Sequence, residues 1–360
     1  MRDPLATQTP RHHAQRAGTC VHVAEARIEW GVSRALPLLI TGVLAACVDS
    51  PPGYEGGLAW DDGPTLPSPR LEAGVAALGQ RLVVVGGFDR SVAQGLRITP
   101  EVLSLDPLTE QWTSLVDAPV AWTHANVVGA SATLYLLGGL ETTSFLARGE
   151  SFALDTDLPD PQWRAITSMP AGMERGAAAV ISSPPYIYLL GGASTSAALA
   201  SCLRYDFSTQ VWSQIPDLPG PRSHGAAMRE DDGTLIIAGG LSSLDSSRPL
   251  GDVLALPPNG SAWVPRAPMR RARGGCAYGE LFGHLICAGG EAGTGAVETV
   301  ETYDPHVDTW TTQDDMPEPR AGTRGGVVGG RLYVPGGASD LQFEPTTSLY
   351  VFTFLDTLQP

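Results

Sequence analysis

The segment Leu82-Val83-Val84-Val85-Gly86-Gly87 decides the architecture of this chain. Four apolar residues, three of them β-branched, are too few for a helix and suit a strand buried on both faces. The two glycines that close it admit left-handed dihedrals and close approach by a neighbouring backbone. The same device recurs as LYLLGG (134–139), IYLLGG (187–192), LIIAGG (235–240), LICAGG (285–290) and LYVPGG (332–337). The first glycines, Gly86, Gly138, Gly191, Gly239, Gly289 and Gly336, stand 47 to 53 residues apart. A period of about 50 residues holds one sheet of four short strands with its turns. The 360 residues are therefore read as one repetitive domain with a short leader rather than as two unrelated cores.

Composition agrees with an all-β, turn-rich chain. It holds 42 glycines and 30 prolines, against roughly 12% of the two together in average usage, and helical bundles tolerate this poorly. Hydrophobic residues at 43% are enough for a packed core. The formal charge of −15 argues against binding nucleic acid through its phosphates. All 23 basic residues are arginine. Without lysine, Schiff-base chemistry and lysine general bases are excluded.

Other residues keep step with the double glycines. Trp112, Trp163, Trp212, Trp263 and Trp310 follow the first five, and Leu105, Tyr205, Leu256 and Tyr303 stand seven residues before four of these. Arg70, Arg175, Arg222, Arg273 and Arg320 precede five of the six double glycines by 16 or 17 residues, while the second repeat has Trp122 instead. This pattern resembles the Kelch repeat and covers about residues 57 to 354. The resemblance implies a six-bladed Kelch-type β-propeller, one four-stranded blade per repeat around a central channel. Tyr350 marks the sixth repeat, which ends without its tryptophan, whereas Trp60 precedes the first arginine with no blade of its own. Residues 57–63 are thus expected to supply the outermost strand of the last blade, closing a propeller domain of residues 57–360.

The N-terminus reads as an address. Residues 35–46, ALPLLITGVLAA, are too short to span a bilayer, follow Arg34, and end in small residues before Cys47. The ending resembles a bacterial lipobox, which implies cleavage before Cys47, its lipidation, and a mature chain tethered by that lipid. Residues 1–46 are then a leader, with Val32 an alternative start that gives it ordinary length, and 47–56 a lipidated cysteine with its linker. Position 48 is valine, so the aspartate that retains lipoproteins in an inner membrane is absent there. The expected location is periplasmic, outer-membrane or cell-surface. A buried helix ending in cysteine is the competing reading.

Candidate binding residues gather where loops between second and third strands (roughly 88–101, 140–149, 193–200, 241–251 and 338–346) share a face with the blade connections. Arg70, Arg175, Arg222, Arg273 and Arg320 begin the innermost strands at that face. Guanidinium groups there would suit an acidic glycan or acidic peptide; a repeated arginine equally suits a structural pair to a loop carbonyl or carboxylate. Trp122, which breaks the pattern, could stack on a sugar or pack on a neighbouring loop. His124 and His224 lie two residues after Trp122 and Arg222 and add titratable groups to the rim. Glu291 and Asp89 are weaker candidates for proton transfer. No two histidines show metal-ligand spacing, and residues 155–160 lack the features of a calcium loop, so no metal site is expected. No cofactor is expected either: the sequence gives no reason to place a copper-radical site, and the sialidase box is missing.

Cys276 and Cys287 flank a hairpin near residues 279–283 and stand either as a disulfide or as two small core residues. Pro335 departs from the repeat and marks an irregularity in an inner strand. Two functions remain open. One is a non-catalytic scaffold recognising an envelope protein or acidic glycan. The other follows from a resemblance to bacterial sialic acid epimerases: anomerisation of an acidic sugar such as N-acetylneuraminate, with Arg175, Arg222 or Arg273 on its carboxylate and His224 or Glu291 moving a proton.

Overall fold

The computed structural model describes residues 60–353 apart from 92–94, 246, 294 and 341–343. The leader, Cys47, the linker to residue 56, residues 57–59 and the tail from 354 lie outside the described residues. Each apolar run forms the second strand of a four-stranded antiparallel sheet, because its almost wholly apolar residues, mostly Val, Leu and Ile, are buried on both sheet faces. A short strand comes first, β1 (Trp60–Asp62). Blade 1 then contains β2 (Gly74–Leu78), β3 (Arg81–Val85), β6 (Val102–Asp106) and β7 (Gln111–Ser114), with the hairpin β4 (Phe88–Ser91) and β5 (Gly95–Ile98) inserted. Blade 2 holds β8 (Val127–Ala130), β9 (Thr133–Glu141), β10 (Leu146–Asp155) and β11 (Trp163–Ile166). Blade 3 holds β12 (Ala179–Ser183), β13 (Tyr186–Leu190), β14 (Cys202–Asp206) and β15 (Val211–Ile215). Blade 4 holds β16 (Ala226–Arg229), β17 (Leu235–Ala238), β18 (Val253–Leu256) and β19 (Val264–Arg266). Blade 5 holds β20 (Ala277–Leu281), β21 (His284–Ala288), β22 (Val300–Asp304) and β23 (Thr309–Thr312). Blade 6 holds β24 (Gly326–Val328), β25 (Arg331–Pro335) and β26 (Leu349–Thr353).

The fourth strand of blade 6 is β1, in the order β24-β25-β26-β1. Its register sets Trp60 opposite Phe352, Asp61 opposite Val351 and Asp62 opposite Tyr350. The expected closure around Trp60 is therefore present. The first strands β2, β8, β12, β16, β20 and β24 stand side by side around the axis, so the chain is a six-bladed all-β propeller.

Tryptophans lock the rim. Trp112, Trp163, Trp212, Trp263 and Trp310 donate Nε1 to the carbonyls of Pro64, Val116, Thr167, Pro216 and Ala267 at 2.8 to 3.0 Å, each on the exit from the preceding blade. Trp60 completes the ring, donating to the Asp314 carbonyl at 3.0 Å. The polar handle of a large apolar ring thus tells each blade where the last one ends.

Glycines lock the inner seam. Gly191 has φ +61, and a Cβ there would stand 2.2 Å from the Arg222 carbonyl oxygen of the next blade. That oxygen accepts the N–H of Gly192 at 2.9 Å. The seam recurs where Gly240 donates to Arg273, Gly290 to Arg320 and, across the closure, Gly337 to Arg70. Pro335 ends β25 opposite Leu349, beyond the reach of the short β24, so its missing N–H falls where no inner ladder runs. Cys276 and Cys287 are bridged, with Cα atoms 5.6 Å apart. Because Cys287 faces Tyr278, the bridge joins diagonal positions on one sheet face, not directly opposed ones.

If closure depends on β1, a chain beginning at residue 67 melts well below the parent, and Trp60→Ala costs about 3 to 5 kcal/mol. Unfolding followed by circular dichroism checks both, and melting points equal to the parent's contradict the closure.

Candidate functional site

The five repeated arginines do not line the mouth. Each is buried and turned back into its own blade, tying the entry of the first strand to the second strand's end or the third strand's start. Arg175 donates to the Gly191 and Ser201 carbonyls at 2.9 and 2.6 Å. Arg222 donates to Gly239 O at 2.8 Å and pairs with the Asp252 carboxylate. Arg273 donates to Thr299 O at 3.0 Å and lies 3.1 Å from the Glu301 carboxylate, with side chains 0% and 1% exposed. Arg70 pairs with Glu101, and Arg320 reaches Ser348 Oγ at 2.6 Å while its guanidinium lies 5.0 Å over the Tyr350 ring. Burial pulls the guanidinium of both Arg175 and Arg273 down to about 10, so both stay charged at neutral pH. The expectation that these guanidinium groups serve an acidic ligand is corrected: each ties its own blade together and is closed to a ligand's carboxylate.

Trp122 is corrected likewise. It is buried in the core between blades 1 and 2, with Phe152 at 6.1 Å, so it presents no face to a sugar. Its carbonyl keeps the arginine's seam role by accepting Gly87 N–H at 2.9 Å. Blade 2 manages without the guanidinium because β9 and β10 pair directly through the region that arginines bridge elsewhere.

What the repeat does deliver to the mouth is the residue two after each arginine or Trp122. These are Glu72, His124, Ala177, His224, Gly275 and Gly322, and all six are left-handed, with φ between +51 and +64. Their backbones form a ring about the axis: the N–H groups of Glu72, His124, Ala177, His224 and Gly275 each donate to the preceding member's carbonyl at 2.6 to 2.9 Å. Four of the six are not glycine, and each accepts the cost of the left-handed region, roughly 1 kcal/mol or more, for its place in the ring.

Three of these residues carry chemistry, and they converge. Glu72 Oε2 stands 3.3 Å from His124 Nε2 and 3.9 Å from His224 Nε2. The two imidazoles meet edge to face at 5.2 Å, and Phe145 covers His124 at 5.5 Å. Their Nδ1 atoms meet Thr123 Oγ1 at 3.0 Å and Ser223 Oγ at 2.9 Å. Burial lowers His124 to about 3, with Arg324 pushing the same way, and lowers His224 to about 4 against the pull of Glu72. Both imidazoles are neutral at neutral pH. Burial raises the Glu72 carboxyl, opposed by His224 and Arg324. Burial and then the Glu72 charge push Glu291 up to about 7.

The expectation of no metal-ligand arrangement is also corrected in its premise. His124 and His224 are far apart in sequence, yet propeller symmetry brings one ligand atom from each, with one from Glu72, within 4.8 Å of one another. Beneath them Arg324 reaches across from blade 6 to the Ala178 carbonyl at 2.9 Å, and the Tyr278 hydroxyl meets Val180 N at 2.9 Å. A cavity of about 730 Å³ continues along the axis past Arg324 and Tyr278, lined by the six first strands.

Of the residues named from sequence, His124, His224 and Glu291 therefore come to the axis. Arg70, Arg175, Arg222, Arg273, Arg320 and Trp122 do not, and Asp89 is taken by Arg97 at 2.9 Å. Glu72 and Arg324 were missed. Glu72 shared the signal that picked out the histidines, two places after the repeat arginine. Arg324 lies four after Arg320 and had no counterpart to compare.

A structural arginine predicts a structural loss. Arg273→Ala leaves Glu301 as a buried carboxylate without its cation and should lower unfolding stability by about 3 to 5 kcal/mol. Arg81→Ala, whose exposed pair with Asp106 spans 3.5 Å, should cost about 1 kcal/mol or less. Chemical denaturation checks the pair, and an unchanged Arg273→Ala would return that arginine to the list of ligand groups.

Comparison with known proteins agrees with this architecture. The family model described as the Kelch motif matches residues 69–119 and 174–219. The chain is 32% identical over 287 residues to the Kelch-like protein terF of Aspergillus terreus, covering 75% of this chain and 61% of that protein. It is 24% identical over 287 residues to alpha-scruin of Limulus polyphemus, covering 74% of this chain and 30% of that one. It is 43% identical over 75 residues to the human Influenza virus NS1A-binding protein, covering 21% and 12%. The chain thus spans less than two thirds of the length of each of these relatives. With six four-stranded blades, five double-glycine seam bonds between them and matching motifs in two stretches, the chain is a six-bladed β-propeller that carries Kelch motifs.

Proposed function

We propose that this chain is an exported, non-catalytic interaction scaffold, tethered through a lipid on Cys47, that binds an envelope protein through the loop face of its propeller. The observation that carries the reading is the apolar display on that face. The hairpins between second and third strands hold Leu96 and Phe145 each 41% exposed, Leu146 38% and Leu244 48%. Exposed large apolar side chains on projecting hairpins of a rigid frame suit a protein surface. Three of the four basic groups on these hairpins are already paired, Arg90 with Glu344, Arg97 with Asp89 and Arg148 with Glu141. With the five repeat arginines also committed, an acidic glycan finds few free donors, and Arg175, Arg222 and Arg273 are not free to hold a sugar carboxylate. A protein partner is therefore favoured over both the glycan and the epimerase readings.

Export is supported by the leader layout and by the Cys276–Cys287 bridge, since disulfides persist in oxidising compartments. A protein partner is supported by the name of the NS1A-binding relative, which records protein binding in that protein.

Crosslinking on intact cells tests the proposal. Asp substitutions at Phe145 and Leu146 should cut the yield of one specific envelope adduct at least tenfold, whereas Phe282→Asp, on a hairpin of the opposite face, should leave it unchanged. Equal yields from all variants would contradict the loop-face reading, and accelerated anomer exchange of N-acetylneuraminate by the purified chain would replace it with the epimerase reading.

A further inference from the structure

We propose that Glu72, His124 and His224 form a binding site for one divalent first-row transition ion on the propeller axis. The inference goes beyond the scaffold reading and does not depend on it.

The argument rests on where protons must sit. Thr123 Oγ1 lies 3.2 Å from the Glu72 carbonyl oxygen and donates to it. Its single proton is spent there, so at 3.0 Å it accepts from His124 Nδ1–H. That fixes the tautomer: His124 Nε2 carries a lone pair, and the lone pair faces Glu72 Oε2 at 3.3 Å. Ser223 Oγ meets His224 Nδ1 at 2.9 Å, and when it accepts there the His224 Nε2 lone pair faces the same Glu72 oxygen at 3.9 Å. Glu72 Oε2 and His124 Nε2 are then two acceptors 3.3 Å apart in a water-poor mouth, which repel one another unless a cation lies between them, and His224 Nε2 stands ready as its third ligand.

The donor set identifies the cation's class. Two imidazole nitrogens and one carboxylate oxygen suit zinc and its first-row neighbours, while calcium and magnesium want oxygen alone. Ligand atoms on a tetrahedral ion, each roughly 2.1 Å from it, stand about 3.4 Å apart. The three atoms here lie within 4.8 Å, so small side-chain rotations suffice. Hydroxyls on both Nδ1 atoms are the outer-shell partners that orient ligating histidines. Three protein ligands leave a coordination position open.

The experiment uses the full chain, stripped with chelator and titrated with Zn²⁺ by calorimetry. We expect one equivalent to be lost, or weakened at least tenfold, in Glu72→Gln and again in His224→Gln, with cooperative melting retained. Since each variant keeps every other histidine, the missing equivalent reports this site alone. Without any variant, Co²⁺ added to the parent should move two imidazole Nδ1–H proton resonances far outside the diamagnetic range. The proposal is overturned if the folded parent binds no equivalent, which would leave a Glu72 proton as the bridging cation. Binding unchanged in both variants, or unshifted imidazole resonances, would overturn it equally.

Discussion

The carbonyl oxygen at the entry of each blade sits where the Cβ of the preceding blade's glycine would be, and the rest of the structure depends on that contact. A side chain at Gly191 would meet the Arg222 oxygen at 2.2 Å, and one at Gly239 the Arg273 oxygen at 2.5 Å. The approach lets a backbone hydrogen bond cross from blade to blade near the axis, while tryptophan Nε1 groups do the same at the rim. Two concentric sets of bonds fix the angle between sheets. Apolar runs such as Leu82–Val85 fill the wedge between them.

Arginine's part follows from the same seam. Ending a strand at a left-handed glycine leaves carbonyls without ladder partners, and buried carbonyls need donors. A guanidinium has several in a fixed fork, so one side chain can satisfy both Gly191 and Ser201. Where β9 and β10 pair through this region, no such donor is needed, and Trp122 fills the space with apolar volume instead. Asn126, buried in the same blade, supplies a donor to the Leu137 and Arg175 carbonyls. The ring of left-handed residues two places further on is the inner consequence. It turns side chains toward the axis, so whatever the sequence places there converges regardless of separation along the chain.

The fold was legible because its signals are periodic. Double glycines, tryptophans and the unpaired Trp60 mark the blades and their closure in the sequence itself. The site was only half legible. His124 and His224 were picked out by register, yet spacing along the chain hid their meeting across the axis, because metal-ligand rules of thumb describe one helix or one loop. Glu72 stood at the same register and went unread. The arginines misled for a physical reason: sequence shows that a guanidinium recurs, not which way it turns, and burial among carbonyls is a property of the assembled blade. The disulfide partners were identifiable, whereas their diagonal register needed the hairpin itself.

The seam is the central claim, and a matched pair of glycines tests it most directly. Gly172 has φ +82 with open space around its Cβ position, and Gly191 has φ +61 with the Arg222 oxygen in the way. Replacing either by alanine carries the left-handed penalty of about 1 to 2 kcal/mol. The account predicts that equilibrium unfolding finds Gly191→Ala at least about 2 kcal/mol less stable than Gly172→Ala, the added cost of forcing an atom into a packed contact. Equal losses from the two substitutions would contradict it.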